Sequence, residues 1–181
     1  MIEKEEFYFA SRDGEHKLHA VKWLPETGNP ICILQIIHGM TEHIGRYEDF
    51  ARFMAGKGVL VVGDDHLGHG LSVKDGELYG YFCKDDPATV LVRDEHRLKK
   101  MMQEQYPGVP YIILGHSMGS FILSNYLMRY GNGIDGAVIM GTGMSSKHAV
   151  RFGWLQASLL SALFGPKYVC HGMDKALFGV Y

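Results

Sequence analysis

The 181-residue sequence has few cysteines, almost no net charge and no long hydrophobic run, and each shortage removes a class of function. Cys32, Cys83 and Cys170 are an odd number in no metal-ligand spacing, which argues against a disulfide framework. Cys32 lies in an apolar run and reads as a small packed hydrophobe, so a reducing, cytoplasmic setting is expected. A formal net charge of -2 carries no field suited to nucleic acid or an anionic membrane. The longest apolar stretches, residues 31–37 and 154–164, fall short of the roughly 18 residues that a membrane span needs. The acidic, then alternating "MIEKEEFYFASRDG" reads as neither a signal nor a transit peptide. With 46% hydrophobic and 21% charged residues, disorder is excluded as well.

Glycine, by contrast, is plentiful at 23 residues. Residues 6–10 and 17–23 alternate apolar and polar side chains around "SRDG", which predicts a half-exposed antiparallel hairpin at a sheet edge. From Pro30 the texture changes. "ICILQII" (31–37), "VLVVG" (59–63), "YIIL" (111–114) and "GAVIMG" (136–141) are continuous β-rich apolar runs, as expected of strands covered on both faces. Helical stretches fall between them. Residues 46–57 place Tyr47, Phe50, Phe53 and Met54 at helical spacing. Residues 86–106 open with Asp-Pro and carry Val90, Leu91, Leu98, Met101 and Met102 inward, beneath a charged outer face. Residues 120–130 end at Gly131, a natural residue to follow a helix. This alternation predicts an α/β fold: a mostly parallel sheet flanked by helices, with right-handed crossovers. After Gly143 the pattern breaks into one apolar helix over 150–164, with no strand following it.

Three loops carry chemistry. In "LGHSMGS" (114–120), Ser117 stands between Gly115 and Gly119, directly after a strand and before a helix. That is the context of a nucleophile elbow, where a Cβ on either glycine would collide with adjacent backbone. The plain alternative is a Gly-Ser turn joining strand to helix. In "IIHGMTEH" (36–43), the N–H of Met40 can point at the same space as that of Met118, and two such donors beside a serine make an oxyanion hole. His38 reads as a scaffold residue whose ring holds loop backbone, and His116, adjacent on so sharp a turn, is expected to point away from Ser117. "DDHLGHGLS" (64–72) clusters Asp64, Asp65, His66 and His69, but in no recognised metal-ligand spacing, so no metal is expected. It reads as a tight loop fixed by Asp65, Gly68 and Gly70.

Together these loops resemble the α/β-hydrolase superfamily over about residues 5–145, closest to its monoglyceride lipase and lysophospholipase branch. There HGxxEHxxRY, DxxGHGxS and GHSMG occur in this order, as they do here. The resemblance implies that Ser117 is the nucleophile and that Met40 and Met118 are the oxyanion N–H donors. It makes His38, Gly39, Glu42, Arg46, Tyr47, Gly115, His116, Gly119, Asp65, Gly68, His69 and Gly70 motif or scaffold positions. It also implies residues 1–144 as the N-terminal part of a hydrolase core, and 145–181 as the start of a helical cap over an acyl pocket. No cofactor is implied. The implied substrate is a small lipid-like ester, with transient membrane contact through the cap helix as a further expectation.

The fold's chain order is Ser, then Asp or Glu, then His. After Ser117 come only Asp135 and Asp174, His148 and His171. Asp135 is expected at the wrong edge of the sheet, and Asp174 and His171 fall in the cap segment. The triad acid and base are therefore expected to be missing from this chain, with His148 the only local substitute for the base. Two readings follow: a serine ester hydrolase, or a truncated fold retained as a non-catalytic binding module. A thioesterase, aminopeptidase or acyltransferase would share the same motifs.

Overall fold

The structure is a computed structural model that describes residues 2–170 and 172. The chain divides into two compact units, Met1–Thr142 and Gly143–Tyr181. The first is built on six strands: β1 (Glu3–Ala10), β2 (Lys17–Leu24), β3 (Cys32–Ile37), β4 (Val59–Asp64), β5 (Tyr111–His116) and β6 (Gly136–Met140). Their order across the sheet is β1-β2-β4-β3-β5-β6. The two N-terminal strands join antiparallel, and β4, β3, β5 and β6 run parallel. The continuous apolar runs sit where expected, with β4 buried along its whole length.

The half-exposure expected of the N-terminal hairpin holds only for β1. From Leu18 to Trp23 every residue of β2 is buried, because β2 lies inside the sheet between β1 and β4. Its polar residues find partners there. His19 Nδ1 meets Asp65 at 2.9 Å, and Lys22 Nζ meets Glu5 at 2.9 Å.

Two cores form, one on each face of the sheet. On one face α1 (Glu48–Ala55) packs Ala51 and Ala55 over Val21, Trp23, Leu34, Ile36 and Val61. The small residues face inward, so the helix approaches closely, and Phe50 and Phe53 are turned outward, contrary to the apolar face read from spacing. A 3-10 turn, Ile44–Tyr47, precedes the helix. On the other face lie α2 (Pro87–Gln105) and α3 (Met118–Tyr130). In α2 the expected Val90, Leu91, Leu98 and Met102 are buried, but so are Asp94, Glu95 and Lys99, which corrects the reading of a wholly exposed charged face. Asp94 accepts from Ser11 Oγ at 2.7 Å and from the Arg12 amide. Gly131 has φ -58°, and the chain continues from it into a 3-10 turn rather than a left-handed stop.

β6 forms the open parallel edge, with Val138, Ile139 and Met140 exposed. In the second unit α4 (Lys147–Phe164) is capped by Ser146, whose Oγ accepts from Ala149 N at 3.2 Å. None of its residues is buried, and Val150, Phe152, Trp154, Leu155, Leu159, Leu163 and Phe164 are exposed. No helix among the described residues is long and apolar enough to cross a membrane.

Candidate active site

The parallel ladder brings the three motif loops to one edge of the sheet. Ile37 of β3 pairs with Gly115 of β5, and Ile36 pairs with Gly63 of β4. Past that first pair both strands leave their shared ladder, and the loop at Gly39 runs beside Ser117. The approach is close: a Cβ on Gly39 would lie 3.0 Å from Ser117 Cβ.

Ser117 has φ 52° and ψ -117°, a conformation that costs a non-glycine residue about 1–3 kcal/mol. Neighbours hold it there. Its N–H donates to Met140 O at 3.0 Å, and its carbonyl accepts from Ser120 N at 2.9 Å and Ser120 Oγ at 2.5 Å. The turn is so tight that a Cβ on Gly119 would overlap the Ile37 carbonyl and sit 2.7 Å from that of His38. One on Gly115 would overlap the Gly119 carbonyl. Ser117 is half-buried, and its Oγ makes no hydrogen bond among the described residues. The Met40 and Met118 amides likewise have no acceptor among them.

The loop after β3 is pinned from both sides. His38 is fully buried, its Nδ1 donates to Gly39 O at 2.7 Å, and its Nε2 accepts from the His66 amide at 3.1 Å. Both nitrogens are therefore engaged with backbone. Burial, and then the charge of His66, push its pKa well below the ordinary value. Glu42 accepts from the Gly39 amide, from Tyr47 Oη at 2.9 Å and from Arg46 at 3.1 Å. His116 Nδ1 lies 3.1 Å from Glu42 and 3.1 Å from Tyr47 Oη, so its ring serves this loop. Burial alone would raise Glu42, but the Gly39 amide, His116 and Tyr47 hold its carboxyl below the usual range. Thr41, next to Met40, has φ 59°.

Asp65 organises the loop after β4. Its carboxylate accepts from Ile44 N at 2.8 Å and Leu71 N at 2.9 Å, and meets His19 Nδ1 at 2.9 Å. Gly68 and Gly70 have φ 72° and 48°, and a Cβ on Gly70 would overlap the Asp65 carboxylate. His69 is buried with Nδ1 3.0 Å from Leu67 O. The Asp65 hydrogen bond, chiefly, raises His19 above its ordinary value against the opposing effect of burial, and Glu6 adds to it. Burial pushes Asp65 up, but His19 and the two amides outweigh it and leave the carboxyl low.

The sign of the pH effect follows. Stabilisation from a raised histidine is complete below its unfolded value of about 6.5 and is lost as pH rises through the folded value. That from a lowered aspartate is complete above about 3.9 and is lost as pH falls. His19→Gln should therefore lower the melting temperature most at about pH 5–6, with the deficit shrinking above about pH 7. Thermal unfolding of both proteins across this range checks it, and a deficit constant with pH would refute the charged pair.

Asp64, His66 and Glu95 bring side-chain oxygen and nitrogen atoms within 4.8 Å of one another, all buried. Glu95 and His66 were not read as site residues from sequence. A signal existed: Leu91, Glu95, Leu98 and Met102 continue one helical stripe, which places Glu95 on the inward face of α2. Asp135 lies at the amino end of β6, where its carboxylate accepts from Tyr111 N at 2.7 Å, away from the site edge. His148 belongs to α4 in the second unit, and His171 and Asp174 lie outside the described residues.

Comparison with known proteins gives the family. Residues 28–175 match the family described as Serine aminopeptidase, S33. Monoglyceride lipase of Homo sapiens is 39% identical over 115 residues, covering 64% of this chain and 35% of the relative. Monoacylglycerol lipase of Mycolicibacterium smegmatis is 31% identical over 147 residues, covering 81% of this chain and 50% of the relative. A thermostable carboxyl esterase from Bacillus coagulans superposes with a TM-score of 0.83 at 30% identity, over 97% of this chain and 56% of the esterase. The chain thus spans between a third and just over half of the length of these relatives. It belongs to the serine aminopeptidase S33 family, on the monoglyceride lipase-like branch of the α/β-hydrolases.

Proposed function

We propose that this chain carries the nucleophile and oxyanion half of a serine hydrolase that cleaves carboxylic esters of lipid-like substrates, of the monoacylglycerol or lysophospholipid type. The observation that carries the reading is Ser117, held in a strained turn between strand and helix, with Gly39 packed against it and no hydrogen-bond partner for its Oγ among the described residues. Ser117 Oγ attacks the ester carbonyl and passes its proton to a base. The Met40 and Met118 N–H groups hold the resulting oxyanion, each donor contributing about 3 kcal/mol to the transition state. Collapse releases the alcohol with that proton and leaves an acyl-serine, which water then hydrolyses. The reading requires an acid and a base that the described residues do not place beside Ser117. The exposed apolar residues of α4 suit a cap over the acyl chain and transient contact with a lipid surface.

A second reading, a binding module without turnover, is favoured by one observation: no base reaches Ser117 Oγ among the described residues. A fluorophosphonate probe separates the two. The hydrolase reading expects a single adduct on the Ser117 peptide and release of p-nitrophenol from short-chain esters. A chain that folds but neither labels nor turns over leaves only the binding module.

A further inference from the structure

Two peptide units lead into Met40, and three of their four polar groups are already held by side chains. The His38–Gly39 unit gives its carbonyl to His66 Nε2 at 3.1 Å and its N–H to Glu42. The Gly39–Met40 unit gives its carbonyl to His38 Nδ1 at 2.7 Å. Only the Met40 N–H is left over. In a planar peptide the carbonyl and the N–H point in opposite directions, so fixing the Gly39 oxygen fixes the direction of that N–H. His38 can do this only with its proton on Nδ1. The His66 amide, donating to Nε2 at 3.1 Å, imposes that tautomer. The two rings also stack, with centroids 3.8 Å apart and planes 22° from parallel.

His66 is anchored from the core side. Its Nε2 must carry a proton to serve the His38 carbonyl, and its Nδ1 faces Glu95 Oε1 at 3.2 Å and Asp64 Oδ2 at 3.7 Å. Glu95 also accepts from Gln35 Nε2 at 2.6 Å, and Gln35 accepts from Tyr111 Oη at 2.5 Å. His69 is the remaining titratable ring nearby, at 6.3 Å. Neither Asp64 oxygen has a hydrogen bond among the described residues, and its Oδ2 faces His66. Burial would lower His66, but Asp64 and Glu95 outweigh it and bring the imidazole up to about 10.

We propose that the His66 side chain is a positioning residue for the oxyanion hole: anchored by Glu95 and Asp64, its ring holds the His38 carbonyl and stacks on the His38 ring that grips the Gly39 carbonyl, and so sets the tilt of the Gly39–Met40 peptide and aims the Met40 N–H. The proposal rests on the reading of Ser117 as nucleophile. His66 is 1% exposed and touches no substrate; it acts wholly through His38 and loop backbone. Asp64 and Glu95 face its Nδ1, and Gln35 and Tyr111 keep Glu95 in place. The oxyanion loop is thereby braced against the core of α2 and β5.

The test compares the full chain with His66→Ala and His66→Gln, the latter keeping a side-chain N–H for the His38 carbonyl without the charge. Amide NMR reads the Met40 resonance, and fluorophosphonate labelling reads the rate constant of the folded fraction separately from the labelled amplitude. In His66→Ala the Met40 amide should shift and the rate constant should fall about 10- to 100-fold, with His66→Gln recovering most of that loss. A merely structural role lowers the amplitude, leaves the rate constant and the Met40 resonance unchanged, and overturns the proposal. If the native chain does not label at all, the hydrolase reading fails, and the Met40 resonance alone decides. A shift in His66→Ala upholds the positioning of that amide, and an unmoved resonance overturns it.

Discussion

Replacing Ser117 with alanine removes all covalent fluorophosphonate labelling, and in an enzyme with acid and base in place it lowers ester turnover by about four to six orders of magnitude. The size of the loss follows from losing the covalent route: oxyanion donors and binding alone leave about a thousandfold over water. Stability makes the assignment sharper. Ser117 sits at φ 52°, so alanine inherits the same strain and should melt within about 2 °C of the native chain. Ser117→Gly relieves the strain and should be more stable by about 1 kcal/mol while equally unlabelled. A position that gains stability when its function is deleted is one where function sets the residue. Mass spectrometry of the labelled peptide and thermal melts of the three proteins check both halves. Labelling that persists in Ser117→Ala would assign the nucleophile elsewhere.

Gly119→Ala has the largest expected effect on the fold. Its Cβ would overlap the Ile37 carbonyl and crowd that of His38, both rigid backbone at the end of β3. The first turn of α3 must then back away, at a cost of about 3 kcal/mol. The same movement separates Met40 from Met118. A displacement of about 1 Å at such a site can cost 100-fold in rate, so turnover or labelling per folded molecule should fall by about that factor. Urea unfolding measures the first loss and labelling kinetics the second. Native stability in this variant would mean that β3 and α3 are not in the contact described.

Much of this fold was legible in the sequence because it is written in continuous apolar runs and glycine punctuation. Those signals located the four parallel strands, the three helices between them and the turn at Ser117. What stayed illegible depends on pairing across long separations. His19 and Lys22 made β2 look half-exposed, yet Asp65 and Glu5 satisfy them inside the sheet. Asp94 and Glu95 looked like solvent-facing charge on α2 until Ser11, His66 and Gln35 supplied their partners. In α1 the large aromatics were the misleading signal, since a helix lying flat on a sheet favours alanine at the contact. Around Ser117 the glycines reported the close approaches directly. The His66 anchor left only a faint mark, the place of Glu95 in the inward stripe of α2, because His38 and Glu95 lie 28 and 29 residues from it in sequence.

The shared ladder of β3 and β5 also determines where this chain can change length. Ile37 pairs with Gly115, so inserting or deleting one residue among His38–Met40 or His116–Met118 would shift one loop against the other and break the approach of Gly39 to Ser117. Segments outside that count face no such constraint: the turn at residues 11–16, the stretch 73–85 and everything after Thr142 can lengthen or shorten without moving Ser117 relative to Met40. Divergence in substrate among such chains is therefore expected to accumulate as insertions and deletions in those stretches, while the two short loops vary only by substitution.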